Sequence, residues 1–162
     1  MLRGPSRDAS GDIVILAEVD IDARAEEIWP YLVDWEHLDR WMAEASDFRV
    51  VSPQREGIGV EAEATVAVGR ITTRDRVRVT RWEPPSVLEI AHLGWVGGHG
   101  YLELSPLHPR GTNVFWRERL KPPMGVLGRI GMRLYRRRLE QQFADDLVIL
   151  RTLVEEEIPP GP

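Results

Sequence analysis

After Pro122-Pro123 the chain runs from Met124 to Glu157 without a proline. Met132, Tyr135, Leu139, Phe143, Leu147, Leu150 and Val154 recur there at steps of three and four. That spacing specifies a single helix with one apolar stripe, long enough to cross a small domain. The flank carrying Arg133, Arg136, Arg137, Glu140 and Asp146 is expected to face water. A stripe of this length has to be covered, and the rest of the chain must supply the cover.

The cover reads as a sheet. Ile13, Ile15, Ala17, Val19 and Ile21 fall on one side of an alternating segment, with Glu18 and Asp20 on the other, as in a half-buried strand. Asp22 or Ala23 is expected to cap a helix reaching about Asp34, with Glu26 and Glu27 near its positive end. Pro30 should cost that helix one hydrogen bond and kink or shorten it. A second short helix is expected over Trp35 to Met42, then a strand near Phe48 to Val51.

The next segment alternates twice. Val60, Ala62, Ala64, Val66 and Val68 are separated by Glu61, Glu63, Thr65 and Ala67, and after Gly69-Arg70 the residues Ile71, Thr73, Asp75, Val77 and Val79 are separated by Thr72, Arg74, Arg76 and Arg78. A two-residue turn with Gly first closes this as a hairpin. The register sets Glu61 opposite Arg78, Glu63 opposite Arg76 and Thr65 opposite Arg74, so these arginines read as a solvated outer face. The inner face is unusual, because Ala62, Ala64, Thr73 and Asp75 stand where a packed core would hold Leu or Ile. Truncating a core Leu to Ala costs about 2–5 kcal/mol. Small residues here either bring backbones closer or keep a space open, and Asp75 among them favours the space.

Val87 to Leu93 forms the next strand. A three-residue Val96-Gly97-Gly98 turn, with a left-handed glycine, is expected to bring Leu88, Ile90 and His92 to the same side as Gly100, Leu102 and Leu104. Thr112 to Lys121 is the last strand, with Thr112, Val114, Trp116, Glu118 and Leu120 inward. Strand, two helices, six strands and a long helix imply an α+β fold: one curved antiparallel sheet of about seven strands around the C-terminal helix. Length implies one domain, placed at residues 12–157, with flexible ends at 1–11 and 158–162.

This order resembles the START-like, birch-pollen-allergen-like helix-grip superfamily, also called SRPBCC or polyketide cyclase/dehydrase proteins. The residues that carry the likeness are Val19-Asp-Ile-Asp-Ala-Arg-Ala-Glu-Glu-Ile-Trp29, Asp34-Trp35 with Trp41, the Gly57/Gly59 turn, Trp82-Glu-Pro-Pro85, Leu102-Glu-Leu104 and Gly111-Thr-Asn-Val-Phe-Trp116. The resemblance implies a deep cavity between the concave sheet and the terminal helix, with its mouth near the short helices. Lipid carriers, hormone sensors, aromatases and cyclases share this fold, so it does not specify an activity. The aromatase/cyclase members are expected to place an inward arginine on the strand after the glycine turn; here the inward positions from Val60 to Val68 hold only Val and Ala.

Asp75, His92 and Glu118 are the ionisable side chains that these registers send inward. Burial raises a carboxyl's pKa, and a neighbouring imidazole could hold it charged or share its proton, which suits proton abstraction beside a carbonyl or loss of water. A purely structural hydrogen-bonded pair is the competing account. Trp35, Trp41, Met42, Trp95 and Trp116 are expected at the mouth and walls, with Ala62 and Ala64 on the sheet. Met124, Leu127, Gly131 and Tyr135 are expected to add the helix side of the same ligand site.

A net charge of -5 argues against non-specific nucleic-acid binding. The lack of cysteine excludes disulfides and thiolate chemistry. His37, His92, His99 and His108 lack metal-ligand spacing, so neither metal nor cofactor is expected. There is no run of apolar residues long enough for a transmembrane segment, and a cytoplasmic protein is the default. Arg129, Arg133, Arg136 and Arg137 form a basic helix face, either solvated or docking an acidic carrier protein or an anionic membrane. The leading functional expectation is binding or carrying of a small hydrophobic or aromatic, lipid- or polyketide-like molecule. The alternative is a cyclase- or dehydratase-like enzyme using the inward acid and base groups.

Overall fold

The computed structural model describes residues 12–68 and 70–158. In chain order it has β1 (Ile13–Ile21), α1 (Ala25–Val33), a 3-10 helix (Trp35–Arg40), β2 (Ala45–Val50), β3 (Glu61–Val68), β4 (Ile71–Glu83), β5 (Val87–His92), β6 (Gly97–Pro106), β7 (Thr112–Lys121) and α2 (Gly125–Glu157). The strands form one antiparallel sheet in the order β1-β7-β6-β5-β4-β3-β2. Among the described strands, only the β1–β7 pairing joins elements distant in sequence, and it brings the first and last strands together.

The alternation read in β1 is realised: Ile13, Ile15, Ala17, Val19 and Ile21 are buried. The hairpin register also holds, with Glu61 paired to Arg78, Glu63 to Arg76 and Thr65 to Arg74. The expected charge lattice covers its outer face, where Arg76 and Arg78 both meet Glu61 and Arg49 meets Glu63. Val68 pairs with Ile71, which leaves two residues for the turn. Gly69 of that turn lies outside the described residues, as do residues 1–11 and 159–162 of the expected flexible ends.

α2 lies against β1 and closes the concave side of the sheet. Leu147, Leu150 and Val154 are completely buried among Val19, Ile21, Val114 and Trp116. Burial of such aliphatic side chains stabilises the fold by about 1.5–3 kcal/mol each, so this half of the helix is held firmly. The other half is not. Leu139 and half-buried Tyr135 join a small cluster with Ile13 and Ile15, but Met124, Val126, Leu127, Ile130 and Leu134 remain exposed.

Three local expectations need correcting. Arg24, not Asp22 or Ala23, sits at the N-cap of α1, and Glu27 Oε2 accepts the Arg24 amide at 2.7 Å. The turn after β5 is not Val96-Gly97-Gly98. His92 pairs with Gly98 and β6 already starts at Gly97, so five residues separate the paired positions, still an odd number. Asp146, expected in water, is 1% exposed. It follows Phe143 by three positions and therefore lies on the same side of the helix, at the edge of the stripe.

Candidate functional site

The sheet supplies one polar end of an interior space. Asp75 comes from β4, His92 from β5 and Glu118 from β7. Strands two apart in a sheet are separated by roughly 9–10 Å, so His92 and Glu118 meet only if the strand between them leaves room. That strand is β6, and its residues facing them are Gly98 and Gly100. A Cβ at position 100 would come 2.6 Å from Glu118 Oε2. Gly94 does the same for Asp75, whose Oδ1 occupies the space that a side chain at 94 would need. The glycines after β5 thus cradle two carboxylates.

Between those carboxylates lies the His92 ring. Nδ1–H donates to Asp75 Oδ2 and Nε2–H donates to Glu118 Oε1, each at 2.7 Å. Burial opposes a charge on the ring, but the two hydrogen bonds and the fields of Glu118 and Asp75 outweigh it and push His92 up to about 10. The site at neutral pH is therefore an imidazolium between two carboxylates. Glu118 Oε2 is buried, and no donor among the described residues reaches it.

A second acidic group stands on the helix side. Asp146 Oδ1 accepts the Ala43 amide at 3.1 Å, Oδ2 meets no amide, hydroxyl or cationic donor among the described residues, and the carboxyl hydrogen-bonds that of Glu44. Burial pushes this carboxyl up to about 7, against the Ala43 hydrogen bond and with help from the neighbouring Glu44. Glu44 is itself raised, chiefly by burial.

The two polar ends share one cavity of about 210 Å³ between sheet and α2. Its walls are apolar. Trp116 meets Phe143 edge to face at 4.3 Å between centroids and Trp41 at 5.8 Å. The indole N–H of Trp41 donates to Tyr31 O, and that of Trp35 donates to Arg55 O, so neither needs a partner from the cavity. A wider groove bordered by Asp20, Arg110, Arg151 and Glu155 is open to solvent and lined largely by charges. Enclosure and apolar walls make the interior cavity the better candidate for a small ligand.

Asp75, His92 and Glu118 line this cavity together with Trp35, Trp41, Met42, Ala62, Ala64, Trp95 and Trp116. Met124, Leu127, Gly131 and Tyr135 do not. The first three are exposed, and Tyr135 packs beside β1 instead. The helix stripe continues past the cavity, so periodicity alone extended the site too far. Sequence reasoning missed Glu44, Gln142, Phe143 and Asp146 as wall residues. The i, i+3 spacing of Phe143 and Asp146 was the available signal, and Glu44 carried none.

Comparison with known structures gives the same architecture. The Thermus thermophilus protein TTHA0849 superposes with a TM-score of 0.77 at 18% identity, over 90% of this chain and 99% of that one. A Deinococcus radiodurans protein, DR_A0006, gives 0.66 at 21% identity, over 90% and 98%. The Zhui aromatase/cyclase from a Streptomyces species gives 0.74 at 14% identity, over 91% and 96%. Identities this low speak for the fold alone. No curated protein matches the chain significantly. Residues 13–155 match the family model described as polyketide cyclase / dehydrase and lipid transport, nearly the whole of the helix-grip domain, and this chain belongs to that family.

Proposed function

We propose that this protein binds a small, largely apolar molecule, aromatic or lipid-like, in the hollow between the sheet and α2. The observation that carries the reading is the cavity of about 210 Å³ with the perpendicular Trp116–Phe143 pair in its wall. Ala62 and Ala64 are buried on its floor, where larger side chains would have filled it. The family description joins polyketide chemistry with lipid transport, which agrees with a hydrophobic guest. Native mass spectrometry of protein purified from its own host, together with titration of the neutral dye N-phenylnaphthylamine, tests the proposal. A retained organic molecule or saturable dye binding is expected. Neither appearing would end it.

A second reading, a cyclase- or dehydratase-like enzyme, draws support from the Asp75–His92–Glu118 array. His92 donates through both ring nitrogens and so has no lone pair for a proton. The atom able to take one from a carbon beside a carbonyl is Glu118 Oε2, with His92 and Asp75 positioning that carboxylate. Turnover of a polyketide mimic that vanishes in Glu118→Gln and survives Asp146→Asn would favour this reading over simple carriage.

A carrier role also gives the first half of α2 a partner. Val126, Arg129, Ile130, Arg133, Leu134 and Arg137 follow one another at helical spacing along a single exposed face. Among the described residues, Arg129, Arg133 and Arg137 make no ion pair, whereas Arg136 pairs with Glu140 at 2.7 Å. An acidic carrier protein would meet the arginines and cover the apolar side chains between them.

A further inference from the structure

We infer that the cavity selects guests that bring hydrogen-bond donors, hydroxyl or amine, and turns away carboxylates of the same size. This rests on the cavity-binding reading above and adds the chemical class of guest.

Among the described residues, the lining contains no lysine and no arginine, while Glu44, Asp75, Glu118 and Asp146 all contribute carboxyl groups to it. Its one cationic group, the His92 ring, already spends both N–H groups on Asp75 and Glu118. One oxygen is left over outright, Glu118 Oε2 on the sheet side. On the helix side Asp146 Oδ2 meets no amide, hydroxyl or cationic donor among the described residues, and its carboxyl hydrogen-bonds that of Glu44. Both belong to side chains almost fully withdrawn from solvent, Glu118 with a side chain 5% exposed and Asp146 as a residue 1% exposed. Neither oxygen has an amide, hydroxyl or cationic donor of its own among the described residues, so a guest seated against it must supply one. A carboxylate guest supplies none. It also sets another negative charge among the existing ones, inside apolar walls that screen poorly.

The geometry therefore favours an aromatic body with a donor directed at the β7 floor, at the α2 roof, or at both. The indole N–H groups of Trp35 and Trp41 do not offset this, since each is bonded to a backbone carbonyl.

Calorimetric titration of the full-length protein at pH 8 with naphthalene, naphthol, naphthylmethylamine and naphthoate tests the inference. These probes share one ring system and differ in polar group. Naphthol or the amine, or both, should bind at least about ten-fold more tightly than naphthoate, the effect expected for one buried hydrogen bond to a charged acceptor. The choice between them tells a neutral hydroxyl guest from a cationic one. Glu118→Gln and Asp146→Asn each place an amide donor at one of these oxygens and should narrow the gap. Asp146→Asn can still accept the Ala43 amide, so it serves if Glu118→Gln folds poorly. Naphthoate binding as well as naphthol, with naphthalene also bound, overturns the donor rule and leaves the cavity reading standing. Failure of all four probes, naphthalene included, overturns the cavity reading and this inference together.

Discussion

Gly100 stands directly across from Glu118 on the neighbouring strand, and a Cβ there would come 2.6 Å from Glu118 Oε2 and 3.0 Å from Ile90 Cγ1. The carboxylate occupies volume that only glycine leaves free. Gly100→Ala should push Glu118 away from His92, because the end of a long side chain yields more easily than packed Ile90. The His92 pKa, followed by NMR titration of the imidazole, should then fall by about one unit or more as one charged partner recedes. An unchanged titration would show that Glu118 is not held by this contact.

The pH dependence of stability follows from His92 and Asp146. The folded protein holds the His92 proton up to about 10, whereas an ordinary imidazole loses it near 6.5. Its stabilisation is complete below 6.5 and is lost as pH rises through about 10. At about 1.4 kcal/mol per pKa unit the array is worth several kcal/mol on the acid side of this window. Asp146 acts in a lower window, because its carboxyl moves from about 3.8 up to about 7 and the folded state loses stability as pH rises between them. In urea denaturation series, His92→Gln should be most destabilised below pH 6.5 and approach the parent near pH 10. Asp146→Asn should gain on the parent between pH 4 and 7. A constant offset for either variant would contradict the assigned groups.

Filling the hollow separates binding from folding. Ala64 is 9% exposed and lines the cavity from β3. Added methylenes in a tightly packed core cost about 1–3 kcal/mol, but here they enter open volume. Ala64→Leu should keep or raise the melting temperature and lower N-phenylnaphthylamine affinity by about ten-fold or more. A large loss of stability would mean that the space beside Ala64 is already occupied.

The basic face of α2 is tested by charge. Arg133→Glu with Arg137→Glu should abolish binding to the host's acidic carrier protein in surface plasmon resonance, and the parent's affinity should fall as salt is raised. The double variant should still bind the naphthylamine dye, since neither arginine lines the cavity. Equal carrier affinity for parent and variant would remove this face from consideration.

Much of the molecule is written in local periodicities. Alternation in β1, β3, β4 and β7 fixes which side chains turn inward, because a strand's faces repeat every two residues whatever lies beyond it. The two-residue turn between Val68 and Ile71 fixes the hairpin register, and the Glu61–Arg78 pairing follows from it. Asp75, His92 and Glu118 could thus be placed inside from sequence, along with the long helix and its stripe. Tertiary structure decided what those inward groups meet. The reach of Glu118 across β6 to His92 depends on bare backbone at Gly98 and Gly100, a relation among three strands that no single periodicity contains. Asp146 lies at the edge of the α2 stripe, where a few degrees of helix rotation choose between water and interior. Met124, Leu127 and Gly131 share that helix yet lie in its exposed half. Periodicity states which side of an element is apolar, and only packing states where along its length that side is covered.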